Sequence, residues 1–598
     1  MPGHGPVRGR GKPVQKPKNA FKIIIRIFKY MGKLRWLLIP ASLFVVISSG
    51  AMVIGNYLLK PLLNDYIVPF IGKESPSLSG FYALLIKMSF IYIAGAFGEW
   101  GTYRIMLSIS TKSLYRIRID LFNKMEKMPL TFFDQRTHGE SMSLFTNDID
   151  TLRNMMSESL PNILNASLTV VGVFVMMLIL SPILTALIVI MLTLMITIVS
   201  RVGKRSSRAF RSQQESLGKV NGHIEEMITG QKVVQVFCRE KEAKKEFAVL
   251  NEKLCEDGIK ANTLASILMP ILGNISNINY GLTAVVGGLL VIAGTMDIGT
   301  VAAFLQYSKT FSRPVQQLSQ EFNNILTALA GAERVFKIID SVPELDSGTK
   351  ELSNVQGKIE LKNVTFGYKK DKQILHDISL LAKPGQKIAL VGATGSGKTT
   401  ITNLINRFYD VQEGTITIDD ISVTDITKDS LRSSLAMVLQ DTHLFTGTIA
   451  DNIRFGRLDA TDQEVIEAAK VANADGFISH MKNGYNTIIT GDGGNLSQGQ
   501  RQLLSIARAE VSKRPILILD EATSSIDTRT EALIEQGLNK LMQGRTVLVI
   551  AHRLSTVKNA DAIMVMEDGR IIERGTHDEL IALNGKYHQL YTGSLELS

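Results

Sequence analysis

The segment GATGSGKTT, Gly392–Thr400, fits the pattern G-x-x-x-x-G-K-[ST] and follows the apolar run Ile388–Val391. Glycines at such spacing let successive backbone amides wrap a phosphate at the start of the next helix. Lys398 can then reach the β- and γ-phosphates, and the Thr399 hydroxyl can take a Mg²⁺ position. The bland alternative is a glycine-rich turn, which the helix-like ITNLINRF that follows argues against. A second apolar run, Ile516–Leu519, ends in Asp520 and Glu521. Buried strands deliver acids at their C-terminal ends, beside a ligand crevice. There Asp520 would orient Mg²⁺ through water and Glu521 would polarise an attacking water, the two tasks of phosphoryl transfer. A third run, Val547–Ile550, delivers His552 near the γ-phosphate by the same logic.

These runs need a parallel sheet to bring their ends together. Short apolar strands alternate with helical patterns from about residue 358 to the C-terminus, as in an α/β P-loop domain. The alternating residues Ile359, Leu361, Val364 and Phe366 open it, behind a connector, Asp340–Gly357, marked by Pro343, Ser347, Gly348 and Gly357.

The first half of the chain is of another kind. Over 598 residues the hydrophobic share is 45% and the charged share 20%, an average that hides an apolar first half and a polar second half. Runs long enough to cross a bilayer recur at Leu37–Leu59, Phe81–Leu107, Leu160–Leu180, Pro182–Ser200, Leu264–Ala293 and Ile298–Tyr307 onward. The sixth is short and must continue through Gln306, Lys309 and Arg313, but six spans return the chain to its starting side. Lys112–Arg153 holds seven Lys/Arg and Arg201–Lys260 thirteen, whereas Ala261–Ser308 holds none. This asymmetry puts the long loops and both termini in the cytosol. Those loops read as helical, so the spans should project beyond the bilayer as paired helices. Pro182, directly after Ser181, predicts a tight external turn.

Met1–Arg35 carries ten Lys/Arg and no Asp/Glu, against a net charge of +10 for the whole chain. The arm lacks aromatic interleaving and runs straight into an apolar segment, so it reads as the cytosolic flank of a span, with no nucleic acid as partner. Its Gly- and Pro-rich start also argues against a mitochondrial transit helix and fits a solvated tail. Two cysteines, Cys238 and Cys255, give no disulfide framework and favour a reducing compartment. Within the spans, Glu99, Asn274, Asn277 and Asn279 are costly in hydrocarbon and either face a cavity or bond a neighbouring helix.

Read together, these residues resemble the ATP-binding cassette family along nearly the whole chain. The matching elements occur in order: Tyr368 in VTFGY, Gly392–Thr400, Gln440 in VLQD, LSQGQ at Leu496–Gln500, SSID ending at Asp527, and AHR at His552. The resemblance implies that Tyr368 stacks on adenine and that Thr394, Gly395, Ser396, Gly397, Lys398, Thr399 and Thr400 join Gly392 around ATP. It implies that Gln440 senses Mg²⁺ beside Thr399 and Asp520, and that Glu521, His552 and Gln440 are the catalytic set. The signature residues Leu496, Ser497, Gln498, Gly499 and Gln500 would cap a partner's nucleotide, with Asp527 in the D-loop.

The membrane half resembles the exporter branch. Phe132, Phe133, Asp134 and Gly139 match its first cytosolic loop and GQKVVQVFCRE, Gly230–Glu240, its second. The implied architecture is a basic arm (1–35), an α-helical six-span membrane domain (36–330), a linker (331–357) and an α/β P-loop nucleotide-binding domain (358–598). The chain departs from the family at Gln498, where LSGGQ is usual, and at Asp492 and Gly493, where GERG is common. The implied function is ATP-driven, multidrug-type export of amphipathic small molecules across the cytoplasmic membrane, multi-pass and with ATP and Mg²⁺ as cofactors. The implied partner is a second exporter half, with a heterodimer favoured over a homodimer. A lipid or peptide exporter of the same architecture is the alternative. A P-loop regulator acting on nucleic acid and a gated channel are the readings from other classes.

Overall fold

The computed structural model describes residues 19–71, 78–369, 371–520, 527–551 and 557–592. The chain forms two compact units, one of residues 1–127 and 136–341, the other of 128–135 and 342–598.

The first unit is helical. The helices that matter below are α1 (Ala20–Met31), α2 (Leu38–Tyr57) and α3 (Ser79–Met125), then, after α4 (Leu130–Asp134) of the second unit, α5 (Leu160–Leu180), α6 (Pro182–Thr229), α7 (Gln231–Val236), α8 (Glu240–Ile292) and α9 (Ile298–Ile339). A bilayer core needs only about 20 helical residues. The 47 residues of α3, 48 of α6 and 53 of α8 therefore exceed that length by far. Beyond the apolar stretch, α6 and α8 are tied by Ser216 and Ser212, whose hydroxyls donate to the Asp257 carboxylate at 2.7 and 3.1 Å. At the bend between α5 and α6, extended Ser181 caps α6 by accepting the Leu184 amide at 3.3 Å, with Pro182 as the first helical residue.

Among the described residues, five helical stretches are long and apolar enough to cross a membrane, and α9 is not one of them. Its polar residues explain this, because they are spent on neighbouring helices. Asn56 of α2 donates to Thr310 at 3.1 Å, Asn279 of α8 to Ser308 at 2.9 Å, and the Tyr307 hydroxyl donates to the Val53 carbonyl at 2.7 Å.

Two boundaries differ from the sequence reading. Residues 331–339, assigned to the linker, are the last turns of α9, since Ala332, Val335, Phe336 and Ile338 form a buried helical stripe. Residues 20–31 of the arm, read as the cytosolic flank of a span with no element assigned, form α1, whose Ile23, Ile27 and Met31 are buried at a four-residue spacing.

The second unit is α/β. Its strands are β1 (Ile359–Phe366), β2 (Leu375–Ala382), β3 (Lys387–Gly392), β4 (Glu413–Ile418), β5 (Ile421–Ser422), β6 (Leu435–Val438), β7 (Gly447–Thr448), β8 (Ile488–Ile489), β9 (Ile516–Asp520), β10 (Thr546–Ile550), β11 (Ala562–Glu567) and β12 (Arg570–Gly575). A six-stranded sheet runs β12-β11-β3-β10-β9-β6, beside a four-stranded β2-β1-β4-β5 sheet. Strands β11, β3, β10, β9 and β6 are mutually parallel, in register Leu390↔Ile550↔Asp520 across the centre. Every residue of β10 and all but one in β3 and β9 is buried, which is why these strands read as unbroken apolar runs.

Candidate functional site

Because the central strands are parallel, the loops leaving β3, β10, β9 and β6 share one edge of the sheet. The segment Gly392–Thr400 leaves β3, Asp520 ends β9, and Gln440 lies two residues past β6. Glu521 and His552, which continue the chain after β9 and β10, lie outside the described residues, as do Ser525 and Ile526.

The loop after β3 turns on left-handed glycines. Gly397, at φ +104°, caps helix α10 (Lys398–Ile405), and a Cβ there would sit 2.5 Å from Leu375. A Cβ on Gly392 would meet the Met566 carbonyl at 2.2 Å. Lys398 is buried and folds over the loop, donating to the carbonyls of Gly392 at 2.6 Å and Ala393 at 3.0 Å. Burial lowers its pKa, opposed by Asp520, whose carboxyl is itself pushed up by burial against the pull of Lys398. Ser396, 4% exposed, has a hydroxyl with no partner, a buried donor facing a loop shaped for phosphate. Thr394, Gly395 and Thr399 are exposed, while Thr400 is buried and accepts from the Tyr368 hydroxyl at 3.3 Å. These groups fit ATP. The hard oxygens of Thr399, Gln440 and Asp520 are the donor types that suit Mg²⁺.

Tyr368 is 43% exposed, its ring held edge-on by Phe366 at 5.2 Å and Tyr409 at 4.8 Å, with Asn403 donating to its hydroxyl at 3.1 Å. It is thus a braced ring with free surface, as a stacking platform requires.

The signature residues sit at the start of α11 (Gln498–Val511). Ser497 caps the helix, its hydroxyl accepting from the Gln500 amide at 3.2 Å while Gln500 accepts the Ser497 amide at 2.9 Å. Leu496 and Gly499 are buried, whereas Ser497 and Gln498 are exposed. Gln498 shares a cavity of about 410 Å³ with Gln440, Asp441, His443, Asp492 and Arg501. The departures from the family have a local reason here. Gly493 adopts φ +76°, and a Cβ would lie 2.9 Å from Arg501. Asp492 accepts the Leu444 amide at 2.9 Å, which holds its carboxyl below the usual range with help from His443 at 3.2 Å. Asp527 accepts the Thr530 amide at 2.9 Å, capping α12 (Thr528–Leu541). In one chain its visible work is that of a helix cap.

The sequence reading leaves Tyr409, Glu344 and Lys309 unassigned, although the resemblance implies that the first loop tip docks on a nucleotide-binding domain and Glu99 is expected to face a cavity or bond a neighbouring helix. Residues 128–135 pack within the nucleotide-binding unit, where the Tyr409 hydroxyl donates to Asp134. The aromatic pair Phe408-Tyr409 near the end of the P-loop helix was the available signal. Behind the site, Glu344 of the connector accepts a bidentate pair of bonds from Arg432 at 2.7 and 3.0 Å, so this stretch is fastened rather than loose. In the helical unit, Glu99 and Lys309 line a cavity of about 790 Å³ with Tyr92, Tyr103, Asn162 and Gln317. Asn279 is a helix-bridging group, bonded to Ser308, and Asn274 and Asn277 are exposed.

Residues 38–315 match the ABC transporter transmembrane region family, and residues 375–524 match the ABC transporter family. The uncharacterized ABC transporter ATP-binding protein YfiC of Bacillus subtilis is 40% identical, covering 97% of this chain and 96% of its own. A fatty acid ABC transporter ATP-binding/permease protein of Mycobacterium bovis is 39% identical over 88% of this chain and 83% of its own. An ATP-dependent lipid A-core flippase of Syntrophus aciditrophicus is 36% identical over 90% and 88%.

Proposed function

This chain belongs to the ABC transporter family as an exporter half, an ATPase coupled to transport, and from that premise we propose that it drives amphipathic compounds out of the cytosol by alternating access. The observation that carries this reading is the 790 Å³ cavity in the helical unit, where Glu99, Lys309, Tyr92 and Tyr103 share the wall with Ala51, Met52 and Ala166. Such a wall suits a molecule with a polar head and an apolar body. A lipid as cargo is the second reading, favoured by the names of the Mycobacterium and Syntrophus relatives.

In this proposal the backbone amides of Gly392–Thr400 and Lys398 hold the phosphates, and Tyr368 carries the adenine. Thr399, Gln440 and Asp520 hold Mg²⁺, which when bound offsets phosphate charge. Glu521 takes the proton of the attacking water, and His552 steadies the γ-phosphate. Ser497 and Gly499 complete a site on a second half-transporter. Val233, Val236 and Phe237 on the α7 tip are 60%, 76% and 69% exposed, apolar surface that a second chain's nucleotide-binding unit would cover. Gln498 and Gly493 favour a non-identical partner, with a homodimer as the alternative. In this proposal six spans, with the Lys/Arg-rich loops inside, keep both termini in the cytosol.

The test is ATP-dependent movement in proteoliposomes holding this chain alone or with a candidate partner, read with a fluorescent amphiphile and, separately, a fluorescent phospholipid. Accumulation of the amphiphile that Glu521→Gln lowers about 100-fold or more is expected, the scale of losing a general base. Movement of the phospholipid alone would select the lipid reading, and wild-type ATP turnover in Glu521→Gln would overturn the assignment of the base.

A further inference from the structure

The connector is tied to the far end of the phosphate-loop helix. Helix α10 starts at Lys398 and runs for eight residues to Ile405, a rod about 12 Å long. Two residues further on, Arg407 adopts φ +52° and is only 3% exposed. Such a backbone is costly for a residue with a side chain and persists only where the surroundings over-determine it. Those surroundings include the connector. The Arg407 guanidinium donates to the Ser347 hydroxyl at 2.9 Å and lies 3.7 Å from the Asp346 carboxylate. It also donates to the Val423 and Ile426 carbonyls and to Asp410, each at 3.0 Å.

Arg432 makes the same bridge a second time. Beyond its fork on Glu344 it donates to the carbonyls of Asn406 at 3.4 Å and Arg407 at 3.2 Å, where α10 presents its negative end. Lys428, itself buried, places a third cation 3.1 Å from Glu344, and its amide donates to Asp346 at 2.9 Å. The connector backbone lies so close that a Cβ on Gly348 would meet the Ile426 carbonyl at 2.0 Å. Tyr409, which braces the Tyr368 ring at 4.8 Å, belongs to the same turn after α10. Buried ion networks add little stability over apolar packing, so this one is better explained by the register that it fixes. Glu344 stands three residues past Ser341, the last residue of the helical unit.

We propose that Arg407 and Arg432 are positioning residues that clasp the end of α10 to the connector, so that phosphate held at Gly392–Thr400 pulls on the end of α9 through the chain. Phosphate loads the first turn of α10, and the helix carries the displacement to Arg407. Asp346, Ser347 and Glu344 then pass it back along the backbone to Ile339, where α9 ends. The clasp rests on the transport cycle proposed above and adds to it the route out of the nucleotide site.

The experiment uses the full chain in nanodiscs, alone or with a candidate partner, carrying Cys238→Ser, Cys255→Ser and one reporter, Met52→Cys, in the wall of the 790 Å³ cavity. Labelling of the reporter by a water-soluble maleimide is timed with and without the non-hydrolysable analogue AMP-PNP and Mg²⁺, and AMP-PNP affinity is measured on the same samples. Glu344→Gln and Arg432→Lys, which spare the buried Arg407, should each cut the nucleotide-dependent change in labelling rate about fivefold or more, the low end of coupling between linked sites. Their affinity for AMP-PNP should hold or rise, because binding no longer works against the helical unit, whereas damage to the fold would lower it. Lys350→Gln breaks an exposed pair with Asp425 at 3.2 Å on the same connector and should change neither reading. A wild-type labelling response in both clasp variants, a loss of affinity in step with the response, or the same loss in Lys350→Gln would each overturn the clasp. No response in the chain with Glu344 and Arg432 intact would instead overturn the alternating-access reading, and the clasp with it.

Discussion

The phosphate loop and the signature segment belong to one nucleotide-binding unit, yet they are finished to different degrees. At the loop, the chain supplies everything itself: left-handed glycines, a buried Lys398 satisfied by the Gly392 and Ala393 carbonyls, and a braced Tyr368. At the signature, Ser497 and Gln500 satisfy each other, and the positive end of α11 is presented outward with Ser497 and Gln498 exposed. One half is built from groups that this chain satisfies and braces itself, while the other presents Ser497 and Gln498 as open surface. A similar contrast separates the two loop tips, since Asp134 is engaged by Tyr409 within its own unit whereas Val236 and Phe237 stand exposed. A single chain thus carries two unlike half-sites, and the difference argues for a second chain on physical grounds.

The comparison can be broken at the loop first. Gly397→Ala forces a side chain into φ +104° and against Leu375, a cost of about 2 kcal/mol or more. ATP affinity measured by equilibrium binding should fall about thirtyfold or more, and unchanged affinity would mean that the loop does not hold phosphate as described. The signature should behave oppositely. Ser497→Ala should leave this chain's own ATP affinity intact while lowering turnover about tenfold with a partner present. Ser497→Asn, which keeps a cap, separates the two roles, because full recovery of turnover there would reduce Ser497 to a helix cap. The smallest effect sharpens the departure from the family. Gly493→Arg restores the usual residue at φ +76° against Arg501, so it should lower the thermal stability of the chain by about 1–2 kcal/mol rather than improve it. A more stable variant would show that the local backbone accepts the family residue after all.

Much of this arrangement is legible in the sequence, and the reason differs by element. Strands β3, β9 and β10 are buried on both faces, so Ile388–Val391, Ile516–Leu519 and Val547–Ile550 announce themselves as continuous apolar runs with their polar residues at the exits. Glycines forced by positive φ are equally visible, because few other residues can stand in their place. Helix α9 is harder, since its polar residues bond Asn56 and Asn279, and composition cannot see partners 254 and 29 residues away. In α1 the four-residue spacing of Ile23, Ile27 and Met31 is short, three residues in all, and is outweighed in composition by the charge of the arm.

The sequence by itself determined the two-part architecture and the nucleotide chemistry, because membrane spans and phosphate loops are dictated by local composition and by backbone conformations open chiefly to glycine. Only the tertiary structure decided which groups are spent and which are free. Whether Asp134, Glu344, Asn279 or Arg26 has a partner depends on residues tens to hundreds of positions distant. A hydrogen bond or ion pair acts over a few ångströms in space, so its existence is settled by the fold rather than by the order of residues along the chain.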